Sequence, residues 1–550
     1  MAHLPLELFG FLAVMLRALT LALQSLVAGG VVFALVVERA AGSGSSAPLA
    51  STGRRLLVGA SLALAVTAAI YVAVDSEVLM ATTGLRLGQV AGAGYFLAGA
   101  AAALLALGVA ALAGAGGAGG PGGHRARLAA LALSAGLVVA AVATSHAAAR
   151  LEGRPAALLL TALHQAAAAC WIGGLPYLLI ALAGSSDAAA AQAMTARFSR
   201  LAQVCVATLA AAGAGLSWLY VGSPAALLGT AYGAMVTTKA VLFALLLGLG
   251  ALNLSIVRRV RAGDPGLLAR LRRFGEAEVG IGFTAVLVAA SLTSQPPAAD
   301  LAAGDRVPLA EIAARMSPRW PRLLPPALGE MVSPGLLAAA AGPAGAAAAE
   351  PYVPGQLAAP LSPGELALSE FNHNVSGLVL LAAGLLAVGA RAGWRWARNW
   401  PLSFILLAAF LFLLADADYW PLGPLGFWSG LTVPEVLQHR LVVLLIVAFA
   451  FYERSVQTGR ARSPRAALVF PAVCALGGAL LLTHSHSLDN PRDELLVELS
   501  HLSIAVLGIA AGWSRWLELR LGGGPRRALS WVWPICFVLV GVVLLIYRET

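Results

Sequence analysis

Charge is what this sequence has least of. Lys, Arg, Asp and Glu make up 11% of its 550 residues, against about 25% in an ordinary soluble domain. A surface that poor in charge cannot have water as its main solvent, and the 59% hydrophobic content and mean hydropathy of +0.83 agree. Lysine is nearly absent: Lys239 stands alone, so arginine carries the formal net charge of +10. The four cysteines, Cys170, Cys205, Cys474 and Cys536, lie inside apolar runs, and none forms a CxxC pair. That excludes a disulfide framework and reads them as small buried residues. No GxxxxGK[ST] occurs, which excludes ATP-driven pumping by this chain alone. A methionine-rich loop is missing too, since Met80, Met316 and Met331 stand apart. A cleavable signal peptide is not expected, because the first apolar run, Leu8 to Val37, is too long for a signal core and has no basic region before it.

What the sequence does have is apolar runs of spanning length, one after another. Helices are predicted at 8–37, 56–74, 87–112, 128–146, 155–183, 197–221, 230–257, 276–294, 374–390, 401–415, 435–453, 466–484, 495–517 and 529–547. The fold class is therefore all-α: a polytopic integral membrane helix bundle of about fourteen transmembrane helices whose first partner is the lipid bilayer. The arginines sit in short clusters between alternate spans, such as Arg54 with Arg55, Arg258 with Arg259 and Arg261, Arg395 with Arg398, and Arg526 with Arg527. That pattern marks topology and argues against a nucleic-acid partner. The positive-inside rule places these loops in the cytoplasm of a bacterial inner-membrane protein and both termini in the periplasm. A Pro/Ala-rich segment, 295–371, divides an eight-helix half (1–294) from a six-helix half (372–550). It is expected outside, with one short amphipathic stretch near Leu309–Met316.

On this topology one histidine of nine, His124, falls in a cytoplasmic loop. His3, His146, His164, His373, His439, His484, His486 and His501 fall at or near outer helix ends. His146 follows Ser145 at the end of the fourth helix, and His164 lies about nine residues into the fifth. His484 and His486 form a His-x-His pair. Glu498 precedes His501 by three residues and Glu435 precedes His439 by four, so each pair shares a helix face. Asp75, Asp416 and Asp418 are placed at outer helix ends. Imidazole ligates copper, zinc, iron and nickel, and a carboxylate can join it or orient it. Each histidine alone reads equally as an interfacial residue. Buried in apolar helices, His164 and His501 read as functional, whereas His3 reads as interfacial.

The two halves also suggest a parallel internal repeat. Ser145-His146 and Ser485-His486 lie 340 residues apart, Asp75 and Asp416 lie 341 apart, and His164 and His501 lie 337 apart. An offset of eight helices preserves orientation.

The run His164-Gln165-Ala166-Ala167-Ala168-Ala169-Cys170-Trp171-Ile172-Gly173-Gly174-Leu175 resembles the histidine, small-residue, Trp-x-Gly-Gly helix of the copper resistance protein D (CopD) family. Arg197-Phe198-Ser199-Arg200-Leu201-Ala202 resembles the start of that family's next helix. Thr230-Ala231-Tyr232-Gly233, Thr238-Lys239 and Leu249-Gly250-Ala251-Leu252-Asn253 resemble the one after it. The likeness covers about 140–295. The second half, with Phe371-Asn372-His373-Asn374 and Ser500-His501, looks like the extended C-terminal region of longer members. The resemblance implies an inner-membrane copper-handling protein, not an enzyme, that works with a periplasmic copper-binding partner. Trp171, seven residues after His164, is expected on the same helix face, where it could cover that histidine or pack against a neighbouring helix. A haem b electron carrier is the alternative, with His146 and His164 or His486 and His501 as axial ligands. A metal-dependent membrane enzyme built on Glu498-x-x-His501 ranks last, since one such pair is present where a di-iron bundle has two.

Overall fold

The computed structural model of the chain describes residues 6–38, 51–115, 123–185, 187–259, 265–327, 363–431, 434–482 and 491–548. Among them the backbone is helical, with connecting turns and one isolated bridge between Tyr419 and Leu425. Helices follow from the solvent: in hydrocarbon each backbone N–H and C=O must be satisfied within its own segment.

Helices occupy all fourteen expected positions. Twelve are long and apolar enough to cross a membrane. The other two are Pro434–Gln457, which carries Arg440, Glu453 and Arg454, and the shorter apolar Ala466–Leu481. The chain divides into two compact units, one of residues 1–228 and 235–302, the other of 229–234 and 303–550.

The first unit holds α1 (Leu6–Val32, continued by a π turn Phe33–Glu38), α2 (Ser51–Thr83), α3 (Gly94–Gly114), α4 (Gly123–Ala143), α5 (Arg154–Ala168), α6 (Leu175–Gly184), α7 (Ala188–Tyr220), α8 (Ala231–Arg259) and α9 (Pro265–Leu292). Local chemistry sets several boundaries. Gly153, at φ 63°, turns the chain into α5, and Pro155 occupies its first turn, where no amide donor is needed. Asp187 caps α7 by accepting from the Ala189 amide at 2.9 Å.

Two expectations change here. The predicted helix 155–183 is not one α-helix: a π turn, Ala169–Gly173, separates α5 from α6. Helix α2 also runs on to Thr83, which leaves Asp75 inside the helix and not at its end.

The second unit holds α10 (Leu309–Met316), α11 (Pro363–Arg391), α12 (Ser403–Leu414, after a 3-10 turn Trp396–Leu402), α13 (Pro434–Gln457), α14 (Val469–Leu481), α15 (Pro491–Arg520) and α16 (Gly523–Leu545). The expected amphipathic stretch is α10. Its Glu311 pairs with Arg492 at 2.5 Å, and Arg548 donates to the Ala314 carbonyl at 3.3 Å and to that of Ser317. The core of this unit is aromatic, with Trp400, Phe470, Trp533 and Phe537 packed around Ala387, Ala511 and Cys536. Glycines let α11 and α16 cross closely: a Cβ at Gly377 would lie 2.5 Å from the Leu545 nitrogen, and one at Gly541 2.4 Å from that of Leu381. The helices paired by the proposed repeat differ. α2 has 33 residues and α12 has 12, while α5 is broken by its π turn and α15 runs 30 residues without a break.

Candidate functional site

In the first unit the predicted residues fall into two groups. One gathers near the start of α5. Ser145 precedes a single helical turn, His146–Ala149, so His146 opens a turn and does not end α4. Its ring lies 6.4 Å from that of Tyr220, over which Arg150 sits at 5.1 Å, and its buried Nε2 has no hydrogen-bond partner. Close by in the chain, Thr144 Oγ1 accepts from Arg17 of α1 at 2.8 Å. Arg17, 8% exposed, faces Asp75 and Tyr71 of α2, and the Tyr71 hydroxyl bonds the Asp75 carboxylate. Asp75 is thereby engaged by an arginine and a tyrosine.

The second group follows α5 into the π turn. His164 lies beside the Leu209 carbonyl, near Gly213 of α7 and within electrostatic reach of Lys239 on α8. A Cβ at Gly213 would stand 3.6 Å from the ring, in ordinary van der Waals contact. The buried Nδ1 of His164 has no partner. Further along, the Cys170 thiol faces that of Cys205 on α7. Composition had read both as inert core residues. Their pairing depends on the π turn and the α5–α7 packing, and no motif in the sequence announces it. Trp171 sits in that turn, 3% exposed and edge-on to Phe243 at 6.3 Å, so it packs between helices.

In the second unit, His439 Nδ1 donates to Asp416 Oδ1 at 2.6 Å. Arg440 holds the same carboxylate at 3.8 Å and donates to the carbonyls of Phe412 and Trp420 at 2.7 and 2.8 Å. Asp416 thus orients His439 from the connection that follows α12. Asp418 closes that connection through its backbone, accepting from the Leu425 amide at 3.1 Å.

A further group joins α11, α15 and the end of α16. His373 stacks on Tyr547 with ring centroids 3.9 Å apart, and His501 stands edge-on at 6.2 Å from His373 and 6.3 Å from Tyr547. Each histidine donates from Nδ1 to the carbonyl four residues earlier, His373 to Ser369 and His501 to Val497, both at 2.8 Å. Asn374 fixes Tyr547 in place: its amide donates to the Leu544 and Tyr547 carbonyls at 3.1 Å, and its oxygen accepts from the Arg322 amide at 2.7 Å. Glu498 is 3% exposed, one turn before His501. Tyr547 was absent from the sequence reading because a tyrosine after the last helix carries no pattern of its own.

His3, His484 and His486 lie outside the described residues, as does the side chain of Glu435. Among the described residues no three His, Cys, Asp or Glu side chains gather closely enough to hold an ion. The described donors stand in pairs: His373 with His501, Cys170 with Cys205, His439 with Asp416. The rings of His146 and His164, proposed as a haem pair, make no contact with each other among the described residues.

Residues 192–292, which run from α7 to the end of α9, match the family described as Copper resistance protein D (CopD). Over 164 residues the chain is 31% identical to the Copper transport protein CutJ of Bacillus subtilis (strain 168). That match spans 29% of this chain and 29% of that protein. No solved structure matches the chain. Cys205, Gly213, Lys239 and Asn253 fall inside the family match, whereas His146, His164 and the histidines of the second unit fall outside it.

Proposed function

We propose, from the match of residues 192–292 to the Copper resistance protein D family, that the chain transports copper, or binds it for transfer, through paired soft donors within the membrane. The observation that carries this reading is the His164, Cys170 and Cys205 set. An imidazole nitrogen buried in a membrane helix without a partner costs about 1–3 kcal/mol, which packing alone does not favour. Ionisable groups at such depth serve function by default. Two thiols that face each other within a few turns of it are soft ligands, and thiolate and imidazole are the donors copper takes. Copper here is cargo, received at the outer face from a soluble copper-binding partner.

A haem b carrier is less well supported. Of its two ligand pairs, His146 has its ring against Tyr220, 6.4 Å away, and His486 lies outside the described residues.

The reading is tested in cells. His164→Ala removes a donor and leaves a small residue suited to the helix, so expression should hold while copper retention and any copper-dependent phenotype fall. His124→Ala is the control and should change neither. Full copper retention by a normally expressed His164→Ala protein would make His164 a packing residue.

Sidedness has its own test. The proposal puts both termini and the 295–371 segment in the periplasm and the bacterial inner membrane around the helices. Reporter fusions at Gly263 and Pro343 should then report the cytoplasm and the periplasm respectively. The same side for both would remove the argument that the histidines share one face.

A further inference from the structure

The end of α16 holds a charged cavity that copper handling leaves unused. Its volume is about 370 Å³, within the range of about 300–1,000 Å³ typical of small-molecule sites. Three guanidiniums stand on its wall, Arg319, Arg322 and Arg548, against one carboxylate, Glu370. Arg322 takes that carboxylate at 3.3 Å, and Arg548 lies within its electrostatic reach. Arg315 and Arg319 in turn lie within electrostatic reach of Arg548. Like charges repel, so a group of this kind left to itself would splay into water. Hydrogen bonds hold it together instead. Arg548 donates to the Ala314 and Ser317 carbonyls at the end of α10. The Arg322 amide donates to Asn374 Oδ1 at 2.7 Å, and the Asn374 amide donates to the Leu544 and Tyr547 carbonyls at 3.1 Å. The stretch after α10 is thereby tied to the ends of α11 and α16, and the arginines are set around a hollow before any ligand arrives.

The depth of the cavity says what meets it. One apolar span runs from Leu366 to Arg391 and another from Pro525 to Leu545. Glu370, in the first turns of the former, and Leu545 and Ile546, at the end of the latter, all line the cavity. It therefore sits where two helices leave the hydrocarbon, at the level of the lipid phosphates. Trp320, also on the wall, is almost fully exposed, and Leu324 nearly so. Beside them α10 exposes Leu309 and Met316. Apolar side chains on an amphipathic helix and a tryptophan at this level rest against headgroups and acyl carbon.

We propose that this cavity binds the phosphate of an anionic glycerophospholipid, held by Arg319, Arg322 and Arg548, with Trp320 and Leu324 against its acyl chains. A guanidinium presents parallel N–H donors in one plane, which a phosphate accepts in pairs. Basic pockets beside membrane helices take lipid headgroups in this way. Charge sets the selectivity. A zwitterionic lipid brings its own cation to a wall that is already positive, so a headgroup without an ammonium is preferred. The same wall repels a metal ion, which separates this site from the path of the cargo.

The test titrates the purified full-length protein, in a neutral detergent, with phosphatidylglycerol, phosphatidylcholine or inorganic phosphate. Native mass spectrometry and the shift in melting temperature read binding. Phosphatidylglycerol should bind wild type at least about tenfold more tightly than phosphatidylcholine. Arg319→Gln should weaken it about tenfold, the share of one charge-assisted hydrogen bond, and Arg319→Gln/Arg548→Gln about a hundredfold. Without added lipid, Arg319→Gln should melt at or above wild type, because it relieves repulsion; a structural role for Arg319 would give the opposite. Arg462→Gln/Arg465→Gln removes two exposed arginines elsewhere and should leave the affinity unchanged. If wild type takes both lipids alike, or if Arg319→Gln and the double variant hold phosphatidylglycerol as tightly as wild type, the site falls. Inorganic phosphate that binds as tightly as the lipid would make this a site for a soluble anion and overturn the lipid assignment. An oligo-aspartate peptide that binds more tightly than the lipid would overturn it in favour of an acidic protein.

Discussion

Replacing Glu518 by Ala is expected to destabilise the second unit by about 3–5 kcal/mol, the cost of breaking a buried ion pair by removing one partner. Glu518 is 2% exposed and holds three groups at once. Its carboxylate takes Arg391 of α11 at 2.7 Å, Arg515 of α15 at 2.7 Å and the Trp533 indole N–H of α16 at 3.1 Å. Both guanidiniums also lie over the Trp533 ring, at 5.3 and 5.5 Å. One carboxylate cannot neutralise two arginines. Glu453 of α13, 1% exposed, lies within electrostatic reach of Arg515. Four helices therefore meet on these buried polar groups, directly beside the aromatic core of Trp400 and Phe470. Glu518→Ala leaves Arg391 and Arg515 without the carboxylate that both of them pair with. Glu518→Gln keeps the shape and the indole contact but not the charge, so its loss should be smaller. Thermal unfolding in detergent reads both, with size exclusion as a check on aggregation. The double variant Glu518→Ala/Arg391→Ala should be less damaged than the two single losses added, since the pair is coupled. A Glu518→Ala protein that melts with wild type would show that water or lipid headgroups already screen this cluster.

The sequence carried the architecture because the membrane leaves few options. Apolar runs of spanning length fixed where helices lie, and Leu309–Met316 was legible from its amphipathic spacing alone. What stayed hidden depends on how helices pack. Asp75 was placed at a helix end because apolar character falls there, yet a helix stops where its hydrogen bonds stop, and α2 runs eight residues further. The π turn at Ala169–Gly173 cannot be read from Ala, Cys, Trp and Ile, since it is set by the approach of α1. For the same reason the Cys170 and Cys205 thiols looked inert: their contact arises between helices. The histidines were found by residue type, but their partners were not. His373 meets His501 across 128 positions of sequence, and only the crossing of α11 with α16 and the bonds of Asn374 bring Tyr547 to them.

Gly173→Ala is expected to be the most damaging single methyl group in the first unit. Helix α1 lies backbone to backbone on the π turn. A Cβ at Gly173 would stand 1.8 Å from the Ser25 carbonyl oxygen and 2.4 Å from its carbon, and one at Gly29 would stand 2.3 Å from the Gly173 carbonyl carbon. Overpacking that side chains can relieve costs about 1–3 kcal/mol. Here the obstacle is main chain on both sides, with no rotamer to turn, so the loss should lie at or above the top of that range. The helices must separate, and the π turn, whose wider winding is held by that contact, should revert toward α. Reversion rotates Cys170 and Trp171 relative to His164. Copper retention should therefore fall with stability, even though no donor has been removed. Gly29→Ala attacks the same contact from α1 and should behave alike, and the double variant should lose little more than either single one. Gly248→Ala is the control: a Cβ there meets nothing within 4 Å, and alanine in a helix interior gains about 0.5–1 kcal/mol over glycine. Melting temperature and bound Cu(I) are read on all four proteins. If Gly173→Ala melts with Gly248→Ala and keeps its copper, the close approach of α1 neither holds the π turn nor places the thiols.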